Sequence, residues 1–354
     1  MIREAEGNLL TADVDALVNT VNTVGVMGKG IALQFKRAYP EMYKAYARAA
    51  KAGEVVPGRM FVWHTEAMSG PSLIINFPTK RHWRSPSRLE DIRDGLRALV
   101  HVVSEAGVES IALPPLGCGN GGLQWSEVRP LIVQALGGLP IEVVLYPPKG
   151  APRAAAMVEN RQKPKMTPGR AALLGIMSRY REVTLEAPSV IEVQKLMYFL
   201  QEAGQPLRLN YVKGRYGPYA DNLRHVLTEL EGHYISGFGD GSAKVGEAEP
   251  LELLDDGGDE TRQIVMSSDI LSERLNRVLR VVSGYESAYG LELLASVHWV
   301  AEHDDRAAES PEIATELVSS WTPRKSRLFT PEHVRRAWET LREQDWLPRI
   351  AIHN

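Results

Sequence analysis

The chain has 354 residues, of which 44% are hydrophobic and 24% are charged, and its formal net charge is −3. This length predicts two domains rather than one core, and the composition is typical of a soluble globular protein. A single cysteine, Cys118, excludes an internal disulfide framework. The sequence has no apolar run near the ~20 residues that cross a bilayer and no signal-peptide pattern at its start, so we expect a cytoplasmic protein with no membrane partner.

The charge is distributed unevenly along the chain. Lys and Arg number 16 against 14 Asp and Glu up to Gly150, 5 against 1 from Ala151 to Arg170, and 20 against 29 thereafter. A basic segment therefore separates a near-neutral first part from an acidic second part. This asymmetry indicates different partners for the two halves.

Strand patterns alternate with helix patterns in the first 150 residues. The predicted strands are Ile2 to Leu9, Val14 to Val21, Arg59 to His64, Leu73 to Phe77, Ser110 to Pro114 and Ile141 to Tyr146. The predicted helices are Gly30 to Ala38, Glu41 to Ala52, Leu89 to Ala106 with Ser87 as a candidate N-cap residue, and Trp125 to Leu136. This alternation predicts an α/β domain with a mixed sheet and helices on both faces, whose ligand lies beyond the carboxyl ends of the strands.

The second half of the chain is predicted to be mainly helical. A segment rich in proline and basic residues, 148–169, is the natural linker between a first domain at 1–147 and a second at 170–354. Helix patterns there cover Arg170 to Glu182, Ser189 to Glu202, Asn222 to Glu231, Ser272 to Gly284, Tyr289 to His303, Ser310 to Ser319 and Pro331 to Gln344. An acidic run lies between two of these helices and holds Glu247, Glu249, Glu252, Asp255, Asp256, Asp259 and Glu260.

Two glycine-rich turns each follow a predicted strand and precede a predicted helix. The first contains Gly25, Gly28 and Gly30, and the second extends from Leu116 to Gly122. Glycine reaches positive φ and lets bare N–H groups approach a ligand, and the start of a helix favours an anion. Together the turns predict a cradle for a diphosphate.

Two common phosphate motifs fit these turns poorly. The glycine spacing in the first turn is too short for a P-loop, and Gly30 stands where that motif needs a magnesium-binding Ser or Thr. The second turn satisfies G-x-G-x-x-G, and Glu142 lies at about the distance of a ribose-binding acid. However, this turn follows a late strand of the domain, and Glu142 begins a strand instead of ending one, which argues against a dinucleotide dehydrogenase.

The first domain resembles the macrodomains, which bind ADP-ribose. The motifs that carry the resemblance are Glu6-Gly7-Asn8-Leu9, the run from Val14 to Asn22, the first turn and the second turn, in that order, and they cover nearly all of 1–147. Met27-Gly28-Lys29-Gly30-Ile31-Ala32 and the Leu123-Gln124-Trp125 that follows the second turn are similar to the subgroup that includes the terminal ADP-ribose glycohydrolase. Long chains with a second domain in this subgroup resemble the DarG antitoxins, a resemblance that implies removal of ADP-ribose from DNA and restraint of a DNA-modifying DarT-like toxin.

The resemblance implies an ADP-ribose site without metal or cofactor. In it, Asn8 accepts a hydrogen bond from adenine, the second turn wraps the diphosphate, Asn22 binds the distal ribose, and Tyr146 walls the adenine. Cys118 is more simply a packed, inert thiol than a nucleophile. The residues predicted to contact ADP-ribose are Asn8, Leu9, Thr20, Asn22, Gly25, Val26, Met27, Gly28, Lys29, Gly30, Thr79, Leu116, Gly117, Cys118, Gly119, Asn120, Gly121, Gly122 and Tyr146.

The resemblance also implies that Lys80 is catalytic, because Asn76-Phe77-Pro78-Thr79-Lys80 matches the subgroup at its catalytic lysine. A lysine with a lowered pKa can attack the distal ribose carbon, and Arg81 and His82 beside it are expected to lower that pKa. Relatives that use a covalent lysine carry an aspartate in the second turn, where this chain has Gly121. Two roles therefore stay open for Lys80: nucleophile, or a group that orients the ribose or protonates the leaving base.

A basic and aromatic run beside Lys80 predicts contact with single-stranded DNA. It consists of Arg81, His82, Trp83 and Arg84. The alternative is that Trp83 packs on the domain surface while the charges are solvated. We therefore weigh three functions: a DNA ADP-ribosyl glycohydrolase that neutralises a toxin, a non-catalytic ADP-ribose reader, and a glycohydrolase acting on modified protein.

The second domain resembles helical antitoxin modules through Lys195-Leu-Met-Tyr198-Phe-Leu200 and Gly214-Arg-Tyr216-Gly217-Pro218-Tyr219. This resemblance implies a toxin-binding domain, although core packing is the simpler role for the tyrosines. The acidic run from Glu247 to Glu260 allows two readings, a mimic of DNA or a solvated acidic loop. The sequence leaves open the modified base, its sequence context and the oligomeric state.

Overall fold

The computed structural model describes residues 1–65, 70–244, 247–254 and 258–348. Its contacts divide the chain into two compact units. Unit 1 comprises Met1–Gln162 and Gly239–Ala243, and unit 2 comprises Lys163–Phe238 and Lys244–Asn354.

Unit 1 is built on a six-stranded sheet with the order β1-β6-β5-β2-β4-β3. The strands are β1 (Ile2–Glu4), β2 (Ala16–Asn22), β3 (Phe61–His64), β4 (Leu73–Lys80), β5 (Ser110–Leu113) and β6 (Glu142–Leu145). Neighbouring strands are parallel except for β3, which runs antiparallel to β4 at one edge. The carboxyl ends of β5, β2 and β4 therefore meet side by side at one edge of the sheet.

Helices cover both faces of this sheet, as the alternation in the sequence predicted. They are α1 (Gly30–Ala38), α2 (Pro40–Lys51), α3 (Leu89–Ala106) and α4 (Trp125–Leu136). Successive residues of β2 face opposite sides of the sheet. Ala16 and Val18 belong to the hydrophobic core between the sheet and helices α3 and α4, whereas Leu17 and Val21 belong to the core between the sheet and helices α1 and α2. The predicted mixed sheet with two helical layers is confirmed.

Three details of unit 1 differ from the sequence-based expectation. Strand β1 ends at Glu4, because Gly7 adopts a φ of +99° and a 3-10 turn follows at Leu9–Thr11. Strand β4 continues past the predicted end to Lys80, pairing with β2 as far as Asn22. The predicted Ser87 cap was wrong, since Arg88 is the N-cap residue of α3 and makes no side-chain cap hydrogen bond.

Part of the predicted linker packs within unit 1. The Nδ2 of Asn160 donates to the carbonyl of Ala38 at 2.9 Å, and its backbone N–H donates to the carbonyl of Arg37 at 3.0 Å. A 3-10 turn also forms at Ala154–Ala156. These contacts explain why unit 1 extends to Gln162.

Unit 2 is mainly helical, as predicted. Its helices are α5 (Pro168–Thr184), α6 (Val190–Glu202), α7 (Asp221–Leu230), α8 (Gly258–Met266), α9 (Asp269–Val282), α10 (Ala288–His303), α11 (Asp305–Glu309), α12 (Pro311–Trp321), α13 (Pro323–Leu328) and α14 (Pro331–Glu343). Two antiparallel strand pairs accompany them: β7 (Tyr211–Gly214) with β8 (Gly217–Ala220), and β9 (Ile235–Ser236) with β10 (Glu252–Leu253). Within the described ranges, no helix is both long and apolar enough to cross a membrane.

Local signals explain the start of several helices in unit 2. Ser189 and Glu192 form a capping box at α6, and Ser287 accepts from the backbone N–H of Gly290 at the start of α10. The β7–β8 hairpin was not predicted, because its strands are short and carry the charged Lys213 and the proline Pro218. Helix α8 begins within the segment predicted as an acidic run, where Asp259 and Glu260 occupy its first turn and interact favourably with the positive end of the helix dipole.

Candidate functional site

The three features singled out in the sequence converge at one edge of the unit 1 sheet. The first glycine turn follows β2, the second follows β5, and Lys80 ends β4. Because β2 lies between β5 and β4 and all three are parallel, these segments leave the sheet side by side. The edge is therefore a place where two glycine turns and a lysine can act on one ligand.

The first turn is shaped from inside by Asn22, which is 7% exposed. Its Nδ2 donates to the carbonyl of Val26 at 2.6 Å, and its Oδ1 accepts from the N–H groups of Val24 and Val26 at 3.1 and 3.3 Å. The hydroxyl of Tyr46 donates to the carbonyl of Asn22. Asn22 thus holds the turn closed, and a contact between its side chain and a ribose stays a prediction.

Two glycines of the first turn occupy positions that a larger residue would strain. Gly25 has a φ of +81°, and a Cβ there would lie 3.2 Å from the Cβ of Ala50. Gly30 has a φ of +62° and begins α1. Met27 is buried between them, whereas Val24 and Val26 are 44% and 41% exposed, so the turn presents backbone and two apolar side chains to its surroundings. Thr20 and Thr79 lie nearby on β2 and β4, and the Thr79 hydroxyl donates to the carbonyl of Val21 at 3.5 Å.

The second turn is a compact loop tied to itself and to the segment before α3. The N–H of Leu123 donates to the carbonyl of Gly117 at 3.0 Å, and the N–H of Ser87 donates to the carbonyl of Gly121 at 2.9 Å. Gly117 and Gly122 have φ values of +72° and +81°. Leu116 is fully buried under this turn, which anchors it to the core.

Gly121 has no room for a side chain. A Cβ at this position would lie 2.2 Å from the Oγ of Ser87 and 2.3 Å from the carbonyl oxygen of Gly117. The Ser87 Oγ is itself buried and has no hydrogen-bond partner among the described residues. The aspartate that relatives carry at this point would therefore require the turn to adopt another backbone path.

Lys80 reaches from β4 to the second turn. Its Nζ donates to the carbonyl of Asn120 at 2.8 Å and to the carbonyl of Trp83 at 3.0 Å. Burial lowers the pKa of Lys80 below its ordinary value. In the neutral form of the amine, these two carbonyls accept both hydrogens and leave the lone pair free; in the charged form, a third hydrogen remains to be donated.

The neighbouring cation Arg81 is engaged elsewhere. Its guanidinium donates to the carboxylate of Asp91 from Nε at 3.3 Å and from Nη2 at 3.0 Å. The side chain of Asp91 is buried, so this pair fixes Arg81 against the start of α3. The low pKa of Lys80 therefore has burial as its cause, and not the charge of Arg81.

Trp83 forms the centre of an exposed stack beside Lys80. Its indole is 45% exposed, the guanidinium of Arg84 lies 4.4 Å from the ring centroid, and the ring of His82 stacks at 5.5 Å. Cation and ring are thus held together at the surface. The indole is thus packed against Arg84 and His82 and partly open to solvent, and its contact with DNA stays a prediction.

The predicted adenine end is lined by residues that already have partners. The Oδ1 of Asn8 accepts from the N–H of Leu10 at 3.0 Å, and its Nδ2 donates to the carbonyl of Ala156 at 2.7 Å. Leu9 is buried, and Tyr146 follows β6 and packs against the same core. The Asn8 Oδ1 has a second lone pair, which can accept a hydrogen bond from the amino group of adenine.

Sequence reasoning missed Asp240, which lies at the start of α1. Its carbonyl accepts from the N–H of Gly30 at 3.4 Å, and its carboxylate accepts from Nε2 of Gln34 at 2.8 Å. Asp240 is 2% exposed, and an acid at the N terminus of a helix is favourable. No local signal identifies it, because 206 residues separate it from Gln34.

Cys118 is a poor nucleophile in this position. Burial raises the pKa of its thiol to about 11, with a smaller contribution from the charge of Glu127. The thiol is therefore protonated near neutral pH, as expected for an inert packed residue. In the described part of the chain, no group of three or more His, Cys, Asp or Glu side chains is arranged to hold a metal ion.

Known proteins are similar to this chain both over its first domain and over nearly its full length. A family model described as Macro domain matches residues 18–132. A Mycobacterium tuberculosis protein named DNA ADP-ribosyl glycohydrolase is 47% identical over 346 residues, covering 94% of this chain and 97% of that relative. A Thermus aquaticus protein of the same name is 46% identical over 356 residues, covering 99% and 97%.

Two further similarities cover 40% and 42% of the chain. A Thermosipho africanus fusion of a DNA ADP-ribosyl transferase and a DNA ADP-ribosyl glycohydrolase is 38% identical over 158 residues, covering 40% of this chain and 41% of that relative. The solved macrodomain of Mycobacterium tuberculosis DarG is 57% identical with a TM-score of 0.42, covering 42% of this chain and 99% of the other. The full-length relatives confirm the resemblance found in the sequence motifs, and the chain belongs to the DNA ADP-ribosyl glycohydrolase family.

Proposed function

We propose that this chain removes mono-ADP-ribose from DNA bases by hydrolysing the N-glycosidic bond, with Lys80 as the catalytic residue. The observation that carries the proposal is the position of Lys80, whose Nζ lies 2.8 Å from the carbonyl of Asn120 in the second glycine turn. A diphosphate held by that turn brings the attached distal ribose to the same edge of the sheet. The full-length similarity to proteins named for this activity supports DNA as the modified substrate.

In the covalent route, Lys80 attacks the distal ribose carbon. The lone pair of Nζ forms a bond to C1″, the bond from C1″ to the base breaks, and the base leaves with the bonding electrons and takes up a proton. Water then displaces the lysine and releases ADP-ribose. In the alternative route, the charged ammonium orients the ribose or protonates the leaving base while water attacks directly.

Measuring ADP-ribose release from three substrates tests the proposed function. The substrates are a single-stranded oligonucleotide carrying ADP-ribose on thymine, one carrying it on guanine, and a protein carrying it on glutamate. Release from either oligonucleotide, with none from the protein, supports the proposal. Release from the protein alone favours the protein-directed hydrolase, and binding of ADP-ribose without release from any substrate favours the non-catalytic reader.

The exposed stack of His82, Trp83 and Arg84 is proposed to hold the DNA next to the modified base. Replacing Trp83 and Arg84 with alanine should raise KM for a modified oligonucleotide about tenfold, because one stacked base contributes about 1 to 3 kcal/mol. The Kd for free ADP-ribose should stay unchanged. A salt titration should show a shallower loss of affinity in the variant, since one phosphate contact is gone.

The control for this stack is Arg97→Ala on α3, whose side chain is 77% exposed. This variant removes a surface cation of unit 1 without touching the stack. Equal KM and equal salt dependence in wild type and in the Trp83→Ala/Arg84→Ala variant would show that DNA does not contact these side chains.

We also propose that the second domain, predicted at 170–354, binds and neutralises a DarT-like transferase toxin. The fusion of transferase and glycohydrolase in one relative supports a functional link between the two activities. The acidic balance of the second half of the chain suits a partner with a cationic, DNA-binding cleft. The direct test is to titrate the toxin with this full-length chain and to measure the toxin's activity on DNA, which should fall as the chain is added.

The acidic run allows a sharper test of how such binding works. Glu247 and Asp259 are 68% and 95% exposed, and each lies within 4.0 Å of a basic residue in its own segment. If the run mimics DNA, Glu247→Gln/Asp259→Asn should weaken toxin binding about tenfold and reduce its salt dependence. Asp255 and Asp256 belong to the same run but lie outside the described residues.

The matched control neutralises two acids elsewhere in unit 2, Glu273 and Glu312, both 67% exposed. The Glu273→Gln/Glu312→Gln variant makes the same change in net charge. If both variants bind the toxin with equal affinity, the run is a solvated acidic segment and not a mimic of DNA.

A further inference from the structure

The β7–β8 hairpin of unit 2 presents a basic surface, which we call the hairpin face and define as Lys213, Arg215, Tyr216, Trp321 and Arg324. The hairpin is fixed to the helices below it. The indole Nε1 of Trp321 donates to the carbonyl of Gly214 at 3.0 Å. Gly217 has a φ of +86°, and a Cβ there would lie 3.1 Å from the Oγ of Ser296. The hairpin therefore sits directly on α10 and α12.

The cations of the hairpin face lie over aromatic rings. The Nζ of Lys213 is 4.8 Å from the centroid of Trp321. The guanidinium groups of Arg215 and Arg324 lie 5.5 and 4.8 Å from the centroid of Tyr216. Stacking limits the positions that these long side chains can take, so the cations are held in place before a ligand arrives.

Beneath the hairpin face, one carboxylate is shared by two cations. The Oε1 of Glu292 accepts from Nη1 of Arg324 at 2.7 Å and from Nζ of Lys325 at 2.6 Å. A third cation, Lys195, is buried nearby and donates to the carbonyl of Pro218 at 2.6 Å. Glu292 is thus paired within this cluster, and the hairpin face retains the positive charges of Lys213 and Arg215 although its half of the chain is acidic.

The two buried lysines beneath the hairpin face have lowered pKa values. Burial is the main cause that lowers the pKa of Lys195 to about 7; the charge of Glu292 opposes this change, and the charge of Lys325 makes a smaller contribution that adds to it. Burial also lowers the pKa of Lys325. The charge offered to an anion is therefore that of the surface cations Lys213, Arg215 and Arg324, and not that of the buried lysines.

We propose that the hairpin face binds the phosphate backbone of single-stranded nucleic acid. Planar guanidinium groups offer paired N–H donors that match phosphate oxygens. Bases of an unpaired strand stack on arginine planes and aromatic rings, and the hairpin face offers both side by side. An acidic protein surface would use the charges but not the stacked planes.

This site goes beyond the proposed hydrolysis, because it lies in unit 2 and needs no ADP-ribose. It gives the chain a second contact with DNA besides the Trp83 stack.

The experiment measures binding of full-length protein to a fluorescein-labelled, unmodified oligothymidine of about 20 nucleotides. This length exceeds the ~4 to 16 nucleotides that one single-strand-binding domain usually covers. Fluorescence anisotropy is recorded over a series of salt concentrations. All proteins carry Trp83→Ala, so that the unit 1 stack does not hide the effect. The test variant is Lys213→Glu/Arg215→Glu, and Lys213→Gln/Arg215→Gln checks the milder change.

The matched control is Arg262→Glu/Arg336→Glu, which reverses two cations of unit 2 that are 72% and 76% exposed. The control should bind nearly as well as the parent. The test variant should bind at least about tenfold more weakly, and the salt slope should fall by about 0.7 for each lost phosphate contact. Circular dichroism melting shows whether each variant is folded.

Equal affinity of the test variant and the control would overturn the proposal. Unchanged oligothymidine binding together with weaker binding to the toxin would overturn it as well, and would assign the hairpin face to an acidic protein partner. Hydrolysis of a modified oligonucleotide at saturating concentration is measured in parallel. Loss of DNA binding with normal hydrolysis separates this site from the catalytic one.

Discussion

Replacing Lys80 with alanine is expected to lower the release of ADP-ribose from modified DNA by at least about 100-fold, since positioned acid, base or nucleophilic groups contribute at that scale. Binding of free ADP-ribose should change by less than about threefold, because the two glycine turns supply most of the predicted contacts. Calorimetry measures binding, and release from a modified oligonucleotide measures turnover. Full activity of Lys80→Ala would remove this residue from the catalytic assignment.

The control is Lys44→Ala on α2, a lysine that is 65% exposed. It removes one exposed positive charge from unit 1 at a residue that is predicted to contact neither ADP-ribose nor DNA. Turnover of this variant should equal that of the wild type. A similar loss in both variants would mean that net charge, and not the position of Lys80, controls the rate.

The pH dependence of turnover separates the two roles of Lys80. Because burial lowers its pKa, the neutral amine becomes the major form at a lower pH than for an exposed lysine. As a nucleophile, Lys80 acts in the neutral form, so kcat should rise with pH through this pKa. As an orienting cation or acid it acts when charged, so kcat should fall over the same interval.

Lys80→Arg gives an independent answer to the same question. Arginine keeps the positive charge and does not lose its proton in proteins. It should therefore retain part of the activity if a cation orients the ribose. An inactive Lys80→Arg that still binds ADP-ribose supports the nucleophile.

The sequence predicted the features of the site that depend on local pattern. The helices α1, α3 and α4 begin and end where the apolar spacing indicated, and the glycine turns follow β2 and β5 as expected. Parallel strands bring their carboxyl ends to one edge of a sheet. A parallel sheet therefore predicts that Lys80, at the end of its strand, lies beside the two glycine turns. The family was also evident from motif order alone.

Features that depend on distant packing were not predictable in this way. Ser87 was assigned to a helix cap by its residue type, yet its Oγ lies buried against Gly121. Asp240 reaches α1 from the second half of the chain. The pairing of Arg81 with Asp91 removed a cation that sequence proximity had placed beside Lys80. In each case a tertiary contact, and not a local propensity, decides what the side chain does.

Gly121→Ala is expected to weaken ADP-ribose binding by at least about 30-fold, which corresponds to about 2 kcal/mol. The added Cβ would lie 2.3 Å from the carbonyl oxygen of Gly117, a backbone atom that moves only if the turn changes its path. The N–H groups predicted to hold the diphosphate would then lose their arrangement. Calorimetry with ADP-ribose measures the loss, and circular dichroism melting reports whether the fold is retained.

Gly138→Ala is the matched control, because a Cβ at Gly138 has no atom within 4 Å among the described residues and its φ is not in the left-handed region. It should bind ADP-ribose normally. A double variant, Gly121→Ala/Ser87→Gly, removes the Ser87 Oγ that lies 2.2 Å from the added Cβ but keeps the Gly117 carbonyl. Restored binding in the double variant would show that Ser87 alone limits the space, and normal binding in Gly121→Ala would contradict the steric argument.

The same steric argument bears on the missing acid. An aspartate at position 121 begins with the same Cβ, so Gly121→Asp should lose ADP-ribose binding instead of gaining the acid found in relatives of the subgroup. Catalysis in this chain must then proceed without a carboxylate at that point of the second turn. Lys80, partly buried and held by the carbonyls of Asn120 and Trp83, is the residue that we propose performs the reaction.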